Sequence, residues 1–196
     1  MKWNGSHHSK SQMLGRHINH CEDSLTAAIF THLLHLPAEL FWKILRSACY
    51  EFDQLPDQPG ELVKVDYWPK WDATGTHPNQ YYVEPDVFIR FRTFDLIVEA
   101  KRWDRPMQDQ EQWQRELIAW SNEYGEAQRF VKMIALGGIH TTTCGMIFHE
   151  WQSSEFGVPL NHLFKCPVFM CRWRRLIEEC QKLKRTLCAE ATRSSL

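Results

Sequence analysis

The 196-residue sequence contains no CxxC pair, no run of 18 apolar residues, no GxxxxGK(S/T) or GxSxG stretch, no internal repeat and no low-complexity tract. Each absence removes a class of protein. The seven cysteines, Cys21, Cys49, Cys144, Cys166, Cys171, Cys180 and Cys188, are odd in number and lack paired spacing. That pattern fits neither a zinc ribbon nor an extracellular disulfide framework, and reduced thiols are expected. The opening MKWNGSHHSKSQMLGRH has no apolar run of signal-peptide length, and nothing later suits a membrane-spanning helix. The expected location is therefore the cytoplasm, with no membrane partner. Missing P-loop and nucleophile-elbow motifs argue against P-loop nucleotide hydrolysis and an α/β-hydrolase triad. Net charge is scarce as well, with 23 Lys and Arg against 24 Asp and Glu. The whole-molecule field cannot draw in a polyanion, so such a partner must meet a locally basic surface.

What is present is the composition of an ordinary globular chain, 43% hydrophobic and 24% charged, with a high aromatic content that includes nine Trp. A chain of this length buries about 70% of its extended surface on folding. Residues 1–18 are polar and aperiodic and read as a flexible tail; residues 19–196 read as a single domain. Leu25, Ala28, Ile29, Leu33 and Leu36 form one helical stripe. Pro37 ends that helix and opens a second, PAELFWKILRSACY. ELVKVDYW alternates like a strand with Val63, Val65 and Tyr67 on one face, and a polar loop from Pro69 to Gln80 follows. VEPDVFIRF and FDLIVEAK read as two strands joined tightly near Arg92 and Thr93. A helix over Pro106 to Tyr124, with Trp113, Leu117, Trp120 and Tyr124 on its apolar side, leads to the short strand FVKMIAL before Gly137 and Gly138. Residues 139–163 are ambiguous, KCPVFMCRW reads as a last strand, and RRLIEECQKLKRTLC as a closing basic helix.

The chemistry concentrates in residues 84–101. A two-residue turn at Arg92 and Thr93 makes paired positions sum to 185, which sets Asp86 opposite Glu99. Alternation then gives one apolar face, Val87, Ile89, Phe91, Phe94, Leu96, Val98 and Ala100, and one face bearing Asp86, Arg90, Asp95, Glu99 and Lys101. Like charges directly opposite are destabilising, so Asp86 and Glu99 call for a cation. Mg²⁺ suits one or two carboxylates with waters and phosphate oxygens, and the Ala100 carbonyl lies close by. Lys101 points its ammonium at the same spot. The competing reading is an exposed sheet face with ordinary charges. Arg-Thr, lacking the Gly or Asn that positive φ favours, is a poor primed turn.

Pro85-Asp86, a spacer of twelve residues and Glu99-x-Lys101 in an apolar strand resemble the PD-(D/E)xK nuclease superfamily, which includes restriction-type endonucleases. The order α, β, β, β, α, β is similar to that family's core. The resemblance covers about 60% of the chain and implies an α/β fold, a mixed sheet flanked by helices, with the basic helix added at the C-terminus. It implies a Mg²⁺-dependent nuclease, with Mn²⁺ as a substitute, acting on DNA in restriction, defence against foreign DNA or repair. Asp86, Glu99 and the Ala100 carbonyl would hold the metal and Lys101 would orient the attacking water. Glu22 matches a Glu that often completes the metal site, and equally a capping-box residue with Asn19 as N-cap. Gln112 resembles a Gln near the substrate backbone, and Asp104 either joins the site or caps the next helix.

Outside the motif, His140, Cys144, His149, Cys166 and Cys171 match no standard zinc spacing. His32 and His35, three apart on a helix, read as surface residues. Residues 165–196 carry eight Lys and Arg against three acids, and Arg172, Arg174, Arg175 and Lys182 are the expected contacts to a nucleic-acid backbone. On the apolar side of that helix stand Leu176, Ile177, Cys180 and Leu183. No specificity module is visible, so selectivity would come from a homodimer, a partner ATPase or defence subunit, or a DNA structure. Two alternatives stay open: a catalytically silent nuclease-fold subunit that binds nucleic acid or a partner protein, and a ribonuclease.

Overall fold

A computed structural model describes residues 23–76, 81–103, 107–125, 129–150 and 163–194. Helix α1 covers 23–33. It is followed by α2 (Ala38–Ala48), β1 (Leu62–Tyr67), a short hairpin of β2 (Trp71–Asp72) and β3 (Tyr82–Val83), β4 (Val87–Phe91) and β5 (Asp95–Ala100). Then come α3 (Gln110–Tyr124), β6 (Val131–Leu136), β7 (Gly145–Glu150), β8 (Leu163–Cys171) and α4 (Trp173–Ser194). The expected tail 1–18 lies outside the described residues. Six strands form one mixed sheet in the order β1-β4-β5-β6-β8-β7. β1, β4 and β5 run antiparallel, β5, β6 and β8 are parallel, and β7 returns antiparallel on β8.

Strands buried on both faces read as near-continuous apolar runs, and β5, DLIVEA, is buried at every position. One face packs on Phe30, Phe41, Trp42, Leu45, Trp173 and Leu176 from α1, α2 and α4. The other packs on Trp113, Leu117 and Trp120 of α3 and on Trp71 and Val83 of the short hairpin. The expected polar loop at Pro69 to Gln80 is therefore interrupted by β2, whose Trp71 packs edge-on to Phe88 and Tyr124. The face carrying Asp95 and Glu99 is covered, with both side chains buried, and so is not an exposed charged face.

The β4–β5 register sums to 185 as the spacing implies, with Val87 opposite Val98 and Arg90 opposite Asp95. Neither Arg92 nor Thr93 has positive φ. The tight turn is held from outside, by the Arg92 N–H on the Glu61 carbonyl at 2.8 Å and the Thr93 hydroxyl on the Pro59 carbonyl at 2.9 Å.

Several expectations need correction. A bulge between Leu62 and Lys64 shifts the pairing of β1 with β4, so Leu62 joins Val65 and Tyr67 on the core while Val63 is exposed. Of the first helical stripe, Leu33 is buried and Leu25, Ile29 and Leu36 pack against the core, but Ala28 faces out and Thr26 and Phe30 are buried beside them. α3 starts at Gln110, because the Asp109 carboxylate caps it by accepting the Glu111 N–H at 2.9 Å. Ile177 on α4 is exposed, while Leu176 is buried and Cys180 and Leu183 are half-buried.

Candidate active site

Lys101 is fixed from four sides where β5 ends. Its N–H donates to the Leu136 carbonyl at 2.7 Å, extending the parallel ladder by one residue. Its carbonyl accepts the Trp173 indole N–H at 2.7 Å. Gly138, at φ +60°, lies so close that a Cβ there would sit 2.7 Å from the Lys101 Cβ, and one on Gly137, at φ +70°, would sit 2.1 Å from the Lys101 carbonyl oxygen. Only glycine gives both this backbone conformation and this approach. The Lys101 ammonium, held in this way, donates to Oε1 of Glu99.

Asp86 stands one residue before β4, and continuing the β4–β5 register by one pair sets it opposite Glu99. Its Oδ2 accepts the Ala100 N–H at 2.7 Å and its carbonyl accepts the Trp68 N–H at 3.2 Å. The Phe91 N–H donates to the Phe94 carbonyl across the turn. Alternation therefore makes Pro85 and Ala100 the next hydrogen-bonding partners beyond Val87 and Val98. Proline has no N–H. The ladder thus gives the Ala100 carbonyl no donor from β4, and the Asp86 side chain takes the Ala100 N–H that a strand carbonyl would otherwise hold.

The sequence reading missed Glu116. It lies on α3 four residues after Gln112, is fully buried, and accepts from the Gln112 amide at 3.1 Å. Its carboxyl is held well above the usual range, first by burial, then by the charge and contact of Glu99 and by the charge of Asp86. Oε2 of Glu116 and Oε2 of Glu99 have no ordinary donor. A proton kept on Glu116 and shared with Glu99 resolves the contact of two acceptors. The signal was in the sequence, since Glu116 interrupts the apolar stripe three residues after Trp113 and four before Trp120. Gln108 was missed too. Its amide donates to the Glu99 and Gly137 carbonyls, both at 3.1 Å, and its oxygen accepts the Trp113 indole N–H at 2.9 Å, clamping β5 to β6 beside the site.

Asp86, Glu99, Ala100, Lys101 and Gln112 are therefore brought to one end of the sheet. Glu22, Asn19 and Asp104 lie outside the described residues. At the other end of β5 the buried Asp95 accepts from Arg90, Arg129 and the Trp120 indole, which anchors the hairpin. Of the four basic residues assigned to a nucleic acid, Arg175 is engaged in the fold, donating to the Ser47 and Cys49 carbonyls at 3.3 Å and lying over the Tyr50 ring. Arg174 is exposed and paired with Glu178, and Lys182 is paired with Glu179. Arg172, just before α4, is half-buried.

Among the described residues no three His, Cys, Asp or Glu side chains converge closely enough to hold a metal ion. His140 is exposed and Cys166 is buried, its thiol pushed up to about 12 by burial; His32 and His35 are exposed. Two carboxylates with a carbonyl to which β4 gives no donor still suit Mg²⁺, which takes its remaining ligands from water and phosphate. Apart from the proton shared with Glu116, the buried Oε2 of Glu99 has no donor, and a hard cation satisfies an acceptor of this kind. Among the described residues no helix is long and apolar enough to cross a membrane.

No family model matches the chain. Over 120 residues it is 32% identical to an uncharacterized protein of Pasteurella multocida (strain Pm70), an alignment that takes in 60% of this chain and 43% of that protein. The chain thus spans less than half the length of that relative.

Proposed function

We propose that this chain is a Mg²⁺-dependent nuclease that hydrolyses phosphodiester bonds of DNA and is built on a restriction endonuclease-like core. The observation that carries the reading is the convergence of Asp86 and buried Glu99 beside Lys101, a lysine held by backbone, indole and glycine contacts. A surface ion pair needs no such support.

Asp86, Glu99 and the Ala100 carbonyl would hold the ion. When bound, Mg²⁺ supplies Lewis acidity toward a phosphodiester and lowers the pKa of water. Lys101 places one positive charge beside that position and stabilises the negative charge that develops on the phosphoryl oxygens. Gln112 and Glu116 brace Glu99 from α3. Gln108 holds the backbone carbonyl of Glu99.

The test is incubation of the purified chain with supercoiled, linear and single-stranded DNA and with RNA, in Mg²⁺, Mn²⁺ or EDTA. Metal-dependent cutting of DNA is expected. Lys101→Ala should lose roughly 10² to 10⁴ in rate while metal binding survives. Absence of cleavage on every substrate would refute the reading and favour a silent nuclease-fold subunit; cleavage of RNA alone would move the substrate class.

A further inference from the structure

Trp103 is 52% exposed, two residues beyond Lys101, whereas the other described tryptophans are buried or half-buried. The fold leaves this indole in water but fixes its backbone. The Trp103 carbonyl accepts the Gly138 N–H at 2.7 Å, and the Gly138 carbonyl accepts the Met107 N–H at 2.8 Å. Gly138 is the same residue that packs against the Lys101 stem, so the backbone that carries the indole is tied to the residue that supports Lys101. Two residues of extended chain reach no more than about 7 Å between Cα atoms, the scale of a single nucleotide. The Arg102 guanidinium stands 4.6 Å from the centroid of the Trp103 ring, and Met107 is exposed beside the same turn. A second cation–ring pair precedes Asp86 in the chain. The Lys70 ammonium lies 4.7 Å from the centroid of Tyr82, which is itself exposed and four residues before Asp86.

An exposed aromatic ring with a cation on it is suited to a nucleobase whose phosphate the cation also attracts. We infer that Trp103, with Arg102, is a stacking platform for an unpaired base next to the scissile phosphate, so that the preferred substrate is single-stranded or frayed DNA. The inference rests on the nuclease reading and narrows its substrate class. In a duplex both faces of an internal base are already stacked, and an indole finds a free face only on a base that is splayed or terminal. Stacking tolerates every base, so the platform adds affinity without sequence preference.

The test is fluorescence anisotropy in EDTA, where nothing is cut, with a labelled oligothymidine strand and a labelled covalently closed circular duplex, which has no terminal base, as probes. Trp103→Ala should weaken single-strand binding about 5- to 150-fold, the range of one lost stack, and leave duplex affinity unchanged. Trp103→Phe keeps a ring and should retain most of the affinity. The single strand should quench wild-type tryptophan emission, and the Phe variant should lack that quenching. Unchanged single-strand affinity in Trp103→Ala overturns the platform and turns the indole toward a protein partner, even if the chain cuts DNA. Failure of the wild type to bind single strands also overturns it, whereas the nuclease reading stands or falls on the cleavage assay.

Discussion

Replacing Glu116 with glutamine keeps the shape of the side chain and removes its proton chemistry. In the fold its carboxyl is held above the ordinary 4.5 by burial and then by Glu99 and Asp86. The unfolded chain releases this proton as pH passes the ordinary value, while the folded chain keeps it. The native state therefore binds more protons, and stability falls as pH climbs from about 4.5 toward the raised folded value. Glutamine does not titrate. The two proteins should be closest at and below about pH 4.5, and the variant should gain on the wild type as pH rises. A glutamine amide accepts from Gln112 at one end and donates to Glu99 at the other, as the protonated carboxyl does, so the gap comes from the proton alone. Each pH unit between the ordinary and the raised value is worth about 1.4 kcal/mol, and each kcal/mol moves Tm by about 2–4 °C at this chain length. Urea and thermal unfolding in EDTA, from about pH 4 to about pH 8, reads the gap directly. A gap that is flat or closes with rising pH would show that Glu116 titrates as an ordinary surface acid, and the account of the cluster would be wrong.

Gly138→Ala puts a methyl 2.7 Å from the Lys101 Cβ; displacing Lys101 by about 1 Å should cost about 10²-fold in kcat, with Mg²⁺ affinity by calorimetry retained. Asp95→Ala strands Arg90, Arg129 and the Trp120 indole, and urea unfolding should show a loss of about 3–5 kcal/mol. Lys184 and Arg185 are exposed on the outer part of α4; replacing both with Ala should flatten the slope of log K against log salt for duplex DNA by up to about 2. An unchanged slope would mean that this helix does not touch the backbone.

The β4–β5 pairing was legible because side-chain direction alternates with period two: seven apolar residues share one face only if the sum is odd, and a two-residue turn makes it 185. The turn itself was not legible, since the groups that hold it come from Pro59 and Glu61, and no local rule for Arg-Thr contains them. The same holds for Val63, exposed by a bulge that the sequence does not announce, and for Trp71, whose two-residue strand is too short to show a period. Asp86, Glu99 and Lys101 were found as a motif, but their support was not. Gly137 and Gly138 read as the end of a strand, and only the packing shows that Lys101, by its carbonyl and its side-chain stem, occupies the space their side chains would fill. Glu116 was hidden by the habit of treating a glutamate on a helix as solvated; its place inside a tryptophan stripe was the clue.

The most direct test is a Mg²⁺ titration of the wild type and Asp86→Asn, following Tm and DNA cleavage together. Asparagine can still accept the Ala100 N–H, so the fold should survive while one charge toward the ion is lost. The wild type is expected to gain about 5–10 °C at 100-fold excess over Kd and to cut DNA as the ion is added, and the variant to lose both responses. A variant that cuts at the wild-type rate, or a wild type that neither gains stability nor cuts with Mg²⁺, would contradict the assignment of Asp86 and Glu99 as a catalytic metal site.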